Sequence, residues 1–426
     1  MLELTQCVVC QGNVEPVIDL GHLYPSAFVN NRDDKEKFTP IKTVVNWCEK
    51  CRNMQSNYME NGENLFREYY YRSAVNKQMR DALYDIVTCG PVVDTVTMTM
   101  HDGDDVIKWL DIAANDMTMC EQVESEYDAF VVGIDPSIIE ERKKTSGIFI
   151  NEFFSAELIQ RLFDNKAHAK FDVITCIAMM YDICDIHKFV EDVKVLLDEN
   201  GVFIVQLMDL ESRLKTYAID DVCNQHVVCY SLECLRTLFA EHGLEIFNCE
   251  YNKTNCASLR IYVGHKDNHP VSEMVDTLIL FQRENFTKEK MIKWGEDVKY
   301  KLGTVKRYLE WMKNIGKQVV LIGASTKAST LLQVAGIDHN LINTALERSS
   351  FKYHKYMMES GIPIISEDEF LKTNNPSECV FVLAIWAFKD GIVKNYNSQL
   401  FGGSQILVPF PSPVVINIDK ETLIGE

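Results

Sequence analysis

The chain has 426 residues, 46% apolar and 25% charged, which is enough for two or three domains with their own cores and has the balance of a soluble globular protein. A formal net charge of -19 at pH 7 argues against nucleic acid as the main partner, because gripping a phosphate backbone takes a basic surface. No apolar run approaches the length of a bilayer, and the opening MLELTQCVVC lacks the basic-then-apolar order of a signal peptide, so the expectation is a cytoplasmic protein with no membrane partner.

In chain order, Cys7-Val-Val-Cys10 and Cys48-Glu-Lys-Cys51 come first. Two CxxC knuckles bring four thiolates to the corners of a tetrahedron, which suits zinc and leaves no open coordination position, so the site is expected to be structural. Other cysteines, such as Cys176, Cys229 and Cys249, lie in apolar runs and read as small buried hydrophobes. Val17 to Leu20 and Lys42 to Trp47 alternate like short strands, and this zinc-binding module is expected to span residues 1–65. A tyrosine cluster follows, Phe66 to Ser73 (FREYYYRS), and then a helix over Asn76 to Val87 with Met79, Leu83 and Ile86 at helical spacing.

Val106 to Ile112 reads as a strand entering a tight turn, Ala113-Ala114-Asn115-Asp116. A second strand, Ala129 to Ile134, ends on Asp135. That acid sits one β-α-β unit beyond the turn, where a doubly wound nucleotide fold keeps a carboxylate for ribose hydroxyls, although the turn lacks the usual glycines. Further strands are expected at Gly147 to Ile150, Phe171 to Ala178 and Gly201 to Leu207. Helices at Ser155 to Phe163 and Asp185 to Leu197 separate them, the second closed by Asn200-Gly201 as a left-handed cap. A helix over Leu232 to His242 precedes two strands, Leu244 to Glu250 and Ser258 to Val263, joined by a short polar loop and so expected to be antiparallel.

Composition turns polar at His265 to Pro270, and a long charged helix is expected over Val271 to Lys313. A second α/β unit opens with Gln318 to Lys327, in which a strand runs into Gly-Ala-Ser-Thr-Lys and a helix, an arrangement resembling an anion nest with Lys327 at the helix start. Strands at Val380 to Ile385 and Ile406 to Pro409 complete a smaller sheet. The expected class is α/β: a central doubly wound Rossmann-like sheet over 66–265, a small N-terminal zinc-binding domain, and a second Rossmann-like α/β domain over 266–426.

The joint order of the two knuckles, FREYYYRS, LDIAAND, GIDPS, a Gln225-His226 pair before YSLECLRTLFAEHGLEI, SLRIYV and a late GASTKASTLLQ resembles the S-adenosylmethionine-dependent sugar C-methyltransferase family over nearly the whole chain. The resemblance implies a Rossmann-like methyltransferase domain behind the zinc-binding module, with a C-terminal domain that contributes to the substrate site. It implies that Asp111, Ala113, Asn115 and Asp116 line the cofactor, that Asp135 and Pro136 meet its ribose, and that Ala178 and Met179 lie beside adenine and sulfonium. S-adenosylhomocysteine would be the spent product.

It further implies His226 as the base that takes a proton from the carbon, C3, next to the ketone of a nucleotide-linked 4-keto-deoxysugar. The resulting enolate would attack the methyl group. Tyr71 and Tyr69 match tyrosines that reach the sugar, Asn224 and Gln225 flank the base, and Lys327 is expected on the substrate. A monomer or homodimer is expected. The chain departs from the family pattern in Ala113 and Met117, which replace two glycines, in Cys223 and Gln225, which replace Tyr and Glu of a Tyr-His-Glu-His signature, and in Cys256-Ala257, which replaces Gly-Gly. Two alternatives stay open: a non-catalytic binding protein on the same fold, and a nicotinamide-dependent oxidoreductase, for which neither turn has Gly-x-Gly-x-x-Gly spacing.

Overall fold

The computed structural model describes residues 2–423 apart from 61, 68–70, 76, 102–105, 141, 184, 224–225, 255–256, 396–403 and 418–419. Tyr69, Asn224 and Gln225 therefore lie outside the described residues. The chain forms two compact units, neither continuous in sequence: residues 1–14, 48–212 and 228–287 make the first, and 15–47, 213–227 and 288–426 the second.

The first unit is built on seven strands: β1 (Ile107–Ile112), β2 (Ala129–Ile134), β3 (Ile148–Ile150), β4 (Phe171–Ile177), β5 (Leu197–Leu207), β6 (Leu244–Asn252) and β7 (Ser258–His265). Their order in the sheet is β3-β2-β1-β4-β5-β7-β6, with β1 to β5 parallel and β7 antiparallel to both neighbours. Strands β1 and β4 are buried at nearly every position because the sheet is covered on both faces. On one face α1 (Lys77–Val87), α2 (Gly90–His101) and α3 (Thr118–Glu126) close over Trp109, Val131, Val173, Val202 and Ile204. On the other, Phe203 meets Phe189 of α4 (Ile186–Leu196) and Phe239 of α5 (Leu232–Glu241). Strand order reverses between β1 and β4, which opens a crevice at their carboxyl ends.

Three local expectations are corrected. Helix α2 is absent from the sequence reading, because GPVVDTVTMTMH is rich in β-branched residues that favour strand by propensity, and packing on the core overrides that preference. Asn200-Gly201 is no helix cap: α4 ends at Leu196 and both residues belong to β5, whose register against β4 shifts between Phe171 and Val173. Gly201 lies there against β4, where a Cβ would come within 2.9 Å of the Phe171 carbonyl. The long helix is two, α6 (Glu273–Asn285) and α7 (Lys288–Asn314), the first in one unit and the second in the other. Phe286 turns extended and is buried, and Arg52 donates to the carbonyls of Arg283 (2.6 Å) and Phe286 (3.1 Å), capping the end of α6.

The second unit holds β8 (Gln318–Ile322), β9 (Thr344–Leu346), β10 (Ile364–Ile365), β11 (Cys379–Leu383), β12 (Gln405–Val408), β13 (Val414–Asn417) and β14 (Lys420–Leu423). Their order is β10-β9-β8-β11-β12-β13-β14, parallel up to β12 and antiparallel beyond. Helix α7 buries Met291, Trp294, Val298, Leu302, Val305, Leu309 and Met312 along one stripe at helical period. Helix α8 (Thr326–Ala335) follows β8 directly, capped by Ser325. No helix among the described residues is long and apolar enough to cross a membrane.

Candidate functional site

At the carboxyl end of β1 the backbone makes a compact, left-handed turn. Ala113 and Ala114 both donate to the Ile134 carbonyl of β2 (2.8 and 3.1 Å), and Ala113, Asn115 and Met117 have φ of 62°, 50° and 65°. The Asp135 carboxylate is buried at the tip of β2. One oxygen accepts from Ser137 N (2.8 Å) and from the Ser137 hydroxyl, and the other from Asn115 N (2.9 Å). Three of about four acceptor positions are thus filled, and the oxygen facing the turn keeps one.

The tyrosine segment is tied to this turn. Asn115 donates to the Tyr71 carbonyl (3.1 Å) and accepts from Ser73 N (3.1 Å), while Asp116 accepts from Ala74 N (2.9 Å) and the Thr118 hydroxyl (2.6 Å). Arg67 reaches the Pro136 carbonyl at 3.4 Å. Tyr71 itself stays 39% exposed, yet crowding of its hydroxyl and the charge of Asp116 push the phenol up to about 12. It is held as a proton donor across the physiological range. Ala178, left-handed at φ 55°, and Met179 lie at the tip of β4 across the strand-order reversal, with Ala178 N donating to Gln206 O at 2.7 Å. Asp111, by contrast, points into the core: it accepts from the Thr175 hydroxyl (2.7 Å) and meets the Cys120 thiol (3.9 Å), and burial pushes its carboxyl up to about 7.

Ala113 and Met117 stand in the left-handed region that glycine favours. Met117 is 1% exposed and sends its side chain into the core, over Gly133, where a Cβ would come within 2.3 Å of the Met117 sulfur. Side-chain volume missing at Gly133 is filled from Met117. Opposite outcomes are therefore expected for two glycine substitutions. Ala113→Gly removes a backbone cost of about 1 kcal/mol, partly offset by added unfolded-state freedom, and should raise the melting temperature by about 1–2 °C. Met117→Gly also empties a buried site, a loss of about 2–5 kcal/mol that exceeds the relief, and should lower it. A thermal melt of the two variants decides this, and equal shifts would refute the packing account.

His226 belongs to the second unit, inside a buried charge cluster. Its Nδ1 lies 2.9 Å from the Asp221 carbonyl and 3.1 Å from the Asp221 carboxylate, which also binds Lys327 (2.7 Å) and Arg213. Burial works against an imidazolium, but the neighbouring Cys223 sulfur and the Asp221 carboxylate outweigh it and hold His226 well above the usual imidazole value. Burial likewise works against the Asp221 carboxylate, and Lys327, His226 and Arg213 together keep it well below the usual range. Asp220 next to it accepts from Trp386 Nε1 (2.9 Å). Sequence reasoning missed Asp221 and Ser137. An acid five residues before the histidine and a hydroxyl two residues after the acid are the only signals, and both patterns are common.

The four knuckle cysteines are buried together, all ligand atoms within 4.8 Å of one another. Cys7–Cys51, Cys10–Cys48 and Cys48–Cys51 sulfurs are 3.4, 3.5 and 3.6 Å apart, close to the ~3.8 Å edge of a tetrahedron with ~2.3 Å zinc–sulfur arms. Asn53 presents its oxygen to Cys7 (3.6 Å) and Cys51 (3.4 Å) while its buried Nδ2 has no partner among the described residues. Turning the amide over would place Nδ2 donors on two thiolates, which is what metal-bound sulfur accepts. The donor set fits zinc. A fifth thiol, Cys234, lies 3.7 Å from Cys51.

Residues 63–248 match the family described as a methyltransferase domain, and residues 253–411 match the C-methyltransferase C-terminal domain. C-methyltransferase NovU of Streptomyces niveus is 25% identical over 402 residues, covering 90% of this chain and 89% of that protein. Among solved structures, an S-adenosylmethionine-dependent methyltransferase from Clostridium acetobutylicum has 13% identity and a TM-score of 0.29, covering 44% of this chain and 97% of that one. Magnesium protoporphyrin IX methyltransferase from Synechocystis has 12% identity and a TM-score of 0.30, with coverage of 46% and 86%.

Proposed function

We propose that this chain, whose residues 63–248 match a methyltransferase domain and 253–411 a C-methyltransferase C-terminal domain, is an S-adenosylmethionine-dependent C-methyltransferase that methylates the carbon next to the ketone, C3, of a nucleotide-linked 4-keto-deoxysugar, with His226 as the base. The observation that supports this reading best is the hold on His226: Asp221 accepts from Nδ1, so the tautomer that results leaves Nε2 as the basic atom. When bound, S-adenosylmethionine supplies a methyl group already activated by a positive sulfur, and S-adenosylhomocysteine is what remains. Asp135 offers the open lone pair of its turn-facing oxygen to a ribose hydroxyl. His226 takes the proton made acidic by the adjacent ketone, and Tyr71, which keeps its own proton, donates to the oxygen on which negative charge develops. Zinc in the four-cysteine site would hold the knuckles together and take no part in the reaction. The reason to consider a non-catalytic protein was side chains at 113 and 117, and that reason weakens because Met117 turns into the core.

The test is incubation with S-adenosylmethionine and nucleotide-linked 4-keto-deoxysugars, read by mass spectrometry. A gain of one methylene at the carbon beside the ketone is expected, and no gain with any such sugar would overturn the reading. The pH profile of the same assay follows from the sign of the His226 shift. A base works only when unprotonated, and Asp221 stabilises the protonated form, so kcat should climb with pH and level off above the usual imidazole value of about 6.5. Asp221→Asn should move that limb down. A limb unchanged in the variant would separate Asp221 from the base.

A further inference from the structure

We infer that Cys223 is a site of reversible oxidation: its sulfur is held as a thiolate between His226 and Lys327 and reacts with small hydroperoxides. The inference rests on the proposed function only for the effect on methyl transfer. Cys223 stands three residues before His226, and the turn between them is closed by His226 N donating to the Cys223 carbonyl at 3.1 Å. The sulfur comes back onto the imidazole and shares a hydrogen bond with it. The ring is itself fixed by Asp221, whose carboxylate lies 3.1 Å from Nδ1. A thiol, an imidazole and a carboxylate linked in this way form the arrangement that activates a sulfur nucleophile.

Charge around the sulfur favours the anion. Lys327 (2.7 Å) and Arg213 both bind the Asp221 carboxylate. Burial works against the Lys327 ammonium, but Asp221 and Asp220, with a further contribution from the Cys223 sulfur, keep it charged. Burial pushes Asp220 up to about 6, which still leaves it largely ionised at neutral pH. With His226 protonated, these groups are three cations against two carboxylates, and a thiolate at Cys223 brings them into balance. A neutral thiol would leave a net positive charge buried, which is costly.

Other thiols are differently placed. Burial pushes Cys249 up to about 12 and Cys379 up to about 11, and it raises Cys89, Cys120 and Cys176. Cys223 keeps 6% of its surface where Cys120 and Cys176 keep none, so a molecule the size of hydrogen peroxide reaches it. In the reaction the thiolate attacks one peroxide oxygen. An S–O bond forms as the O–O bond breaks, sulfur loses two electrons, and hydroxide leaves. The proton that turns hydroxide into water comes from the His226 imidazolium. The product is a sulfenic acid. A thiol reductant displaces water from it to give a mixed disulfide, and a second thiol releases Cys223 as the two reductant sulfurs join.

The experiment is peptide-resolved mass spectrometry of the zinc-loaded full chain. Alkylation by iodoacetamide is timed at pH 8 and pH 6, with glutathione as the reference. An ordinary thiol slows about 80-fold over that interval because its thiolate fraction falls, whereas Cys223 should slow by less than about threefold. In His226→Gln the slowing at Cys223 should reach about tenfold or more. After a pulse of hydrogen peroxide, dimedone should label Cys223 before the other cysteines, and dithiothreitol given in place of dimedone should return the free thiol. The pulse should also stop methyl transfer until dithiothreitol is added. A Cys223 rate that falls in parallel with glutathione, the same pH dependence in His226→Gln as in the wild-type chain, or failure of either reagent to label Cys223 would each overturn the inference. The wild-type comparison decides even if the variant does not fold. Loss of the methyl-transfer reading would leave the labelling results unchanged, and their failure would leave methyl transfer standing.

Discussion

His226→Gln should reduce kcat for methyl transfer by about 10²–10⁴-fold, the contribution of a positioned general base, while S-adenosylhomocysteine still binds. The substitution is well suited to the site. Asp221 keeps Lys327 at 2.7 Å and Arg213 beside it, so removing the imidazole leaves no buried carboxylate without a cation, and the fold should survive. Asp135 and Asn115, which would hold the methyl donor, belong to the other unit. Single-turnover methyl transfer and calorimetric binding of S-adenosylhomocysteine read the two effects separately. Turnover near the wild-type rate would remove His226 from the mechanism, and loss of both rate and binding would mean a structural role.

Removal of zinc is expected to have the largest effect on stability. Four thiols within 4.8 Å of one another repel as thiolates without a cation, and structural zinc sites contribute apparent free energies of about 10–16 kcal/mol. Carefully prepared protein should contain one zinc per chain, and a strong chelator or Cys48→Ser should abolish the cooperative melt of the first unit. Cys234→Ser should keep the metal, because four sulfurs already complete the tetrahedron and Cys234 can only donate to Cys51. Metal analysis with thermal melts of the three proteins checks this, and a fully stable, metal-free chain would refute the site.

Periodicity and short-range chemistry determine much of this protein without help from the rest of the chain. Two CxxC pairs suffice to nominate the metal site, because each knuckle is local and the chemistry of four thiolates is the same wherever they meet. The β1-turn-α3-β2 unit with Asp135 at its end is legible for the same reason, as is the antiparallel pair β6 and β7. Boundaries were less so: the strand propensity of GPVVDTVTMTMH concealed α2, and Asn200-Gly201 looked like a cap because its need for space against the Phe171 carbonyl appears only once β4 lies beside β5.

Tertiary structure alone decided how the reactive groups are set. Lys327 and Trp386 lie more than a hundred residues beyond the Asp220-Asp221 pair they bind, and no local pattern predicts a partner at that distance. Whether Met117 would block the turn depended on an empty volume at Gly133 on the neighbouring strand. The segment carrying His226, residues 213–227, lies between two stretches of the first unit yet folds into the second. Sequence order fixes which elements form, because caps, turns and apolar periods act over a few residues. Charge pairing, cavity filling and unit membership depend on which faces meet, and only the packed chain determines that.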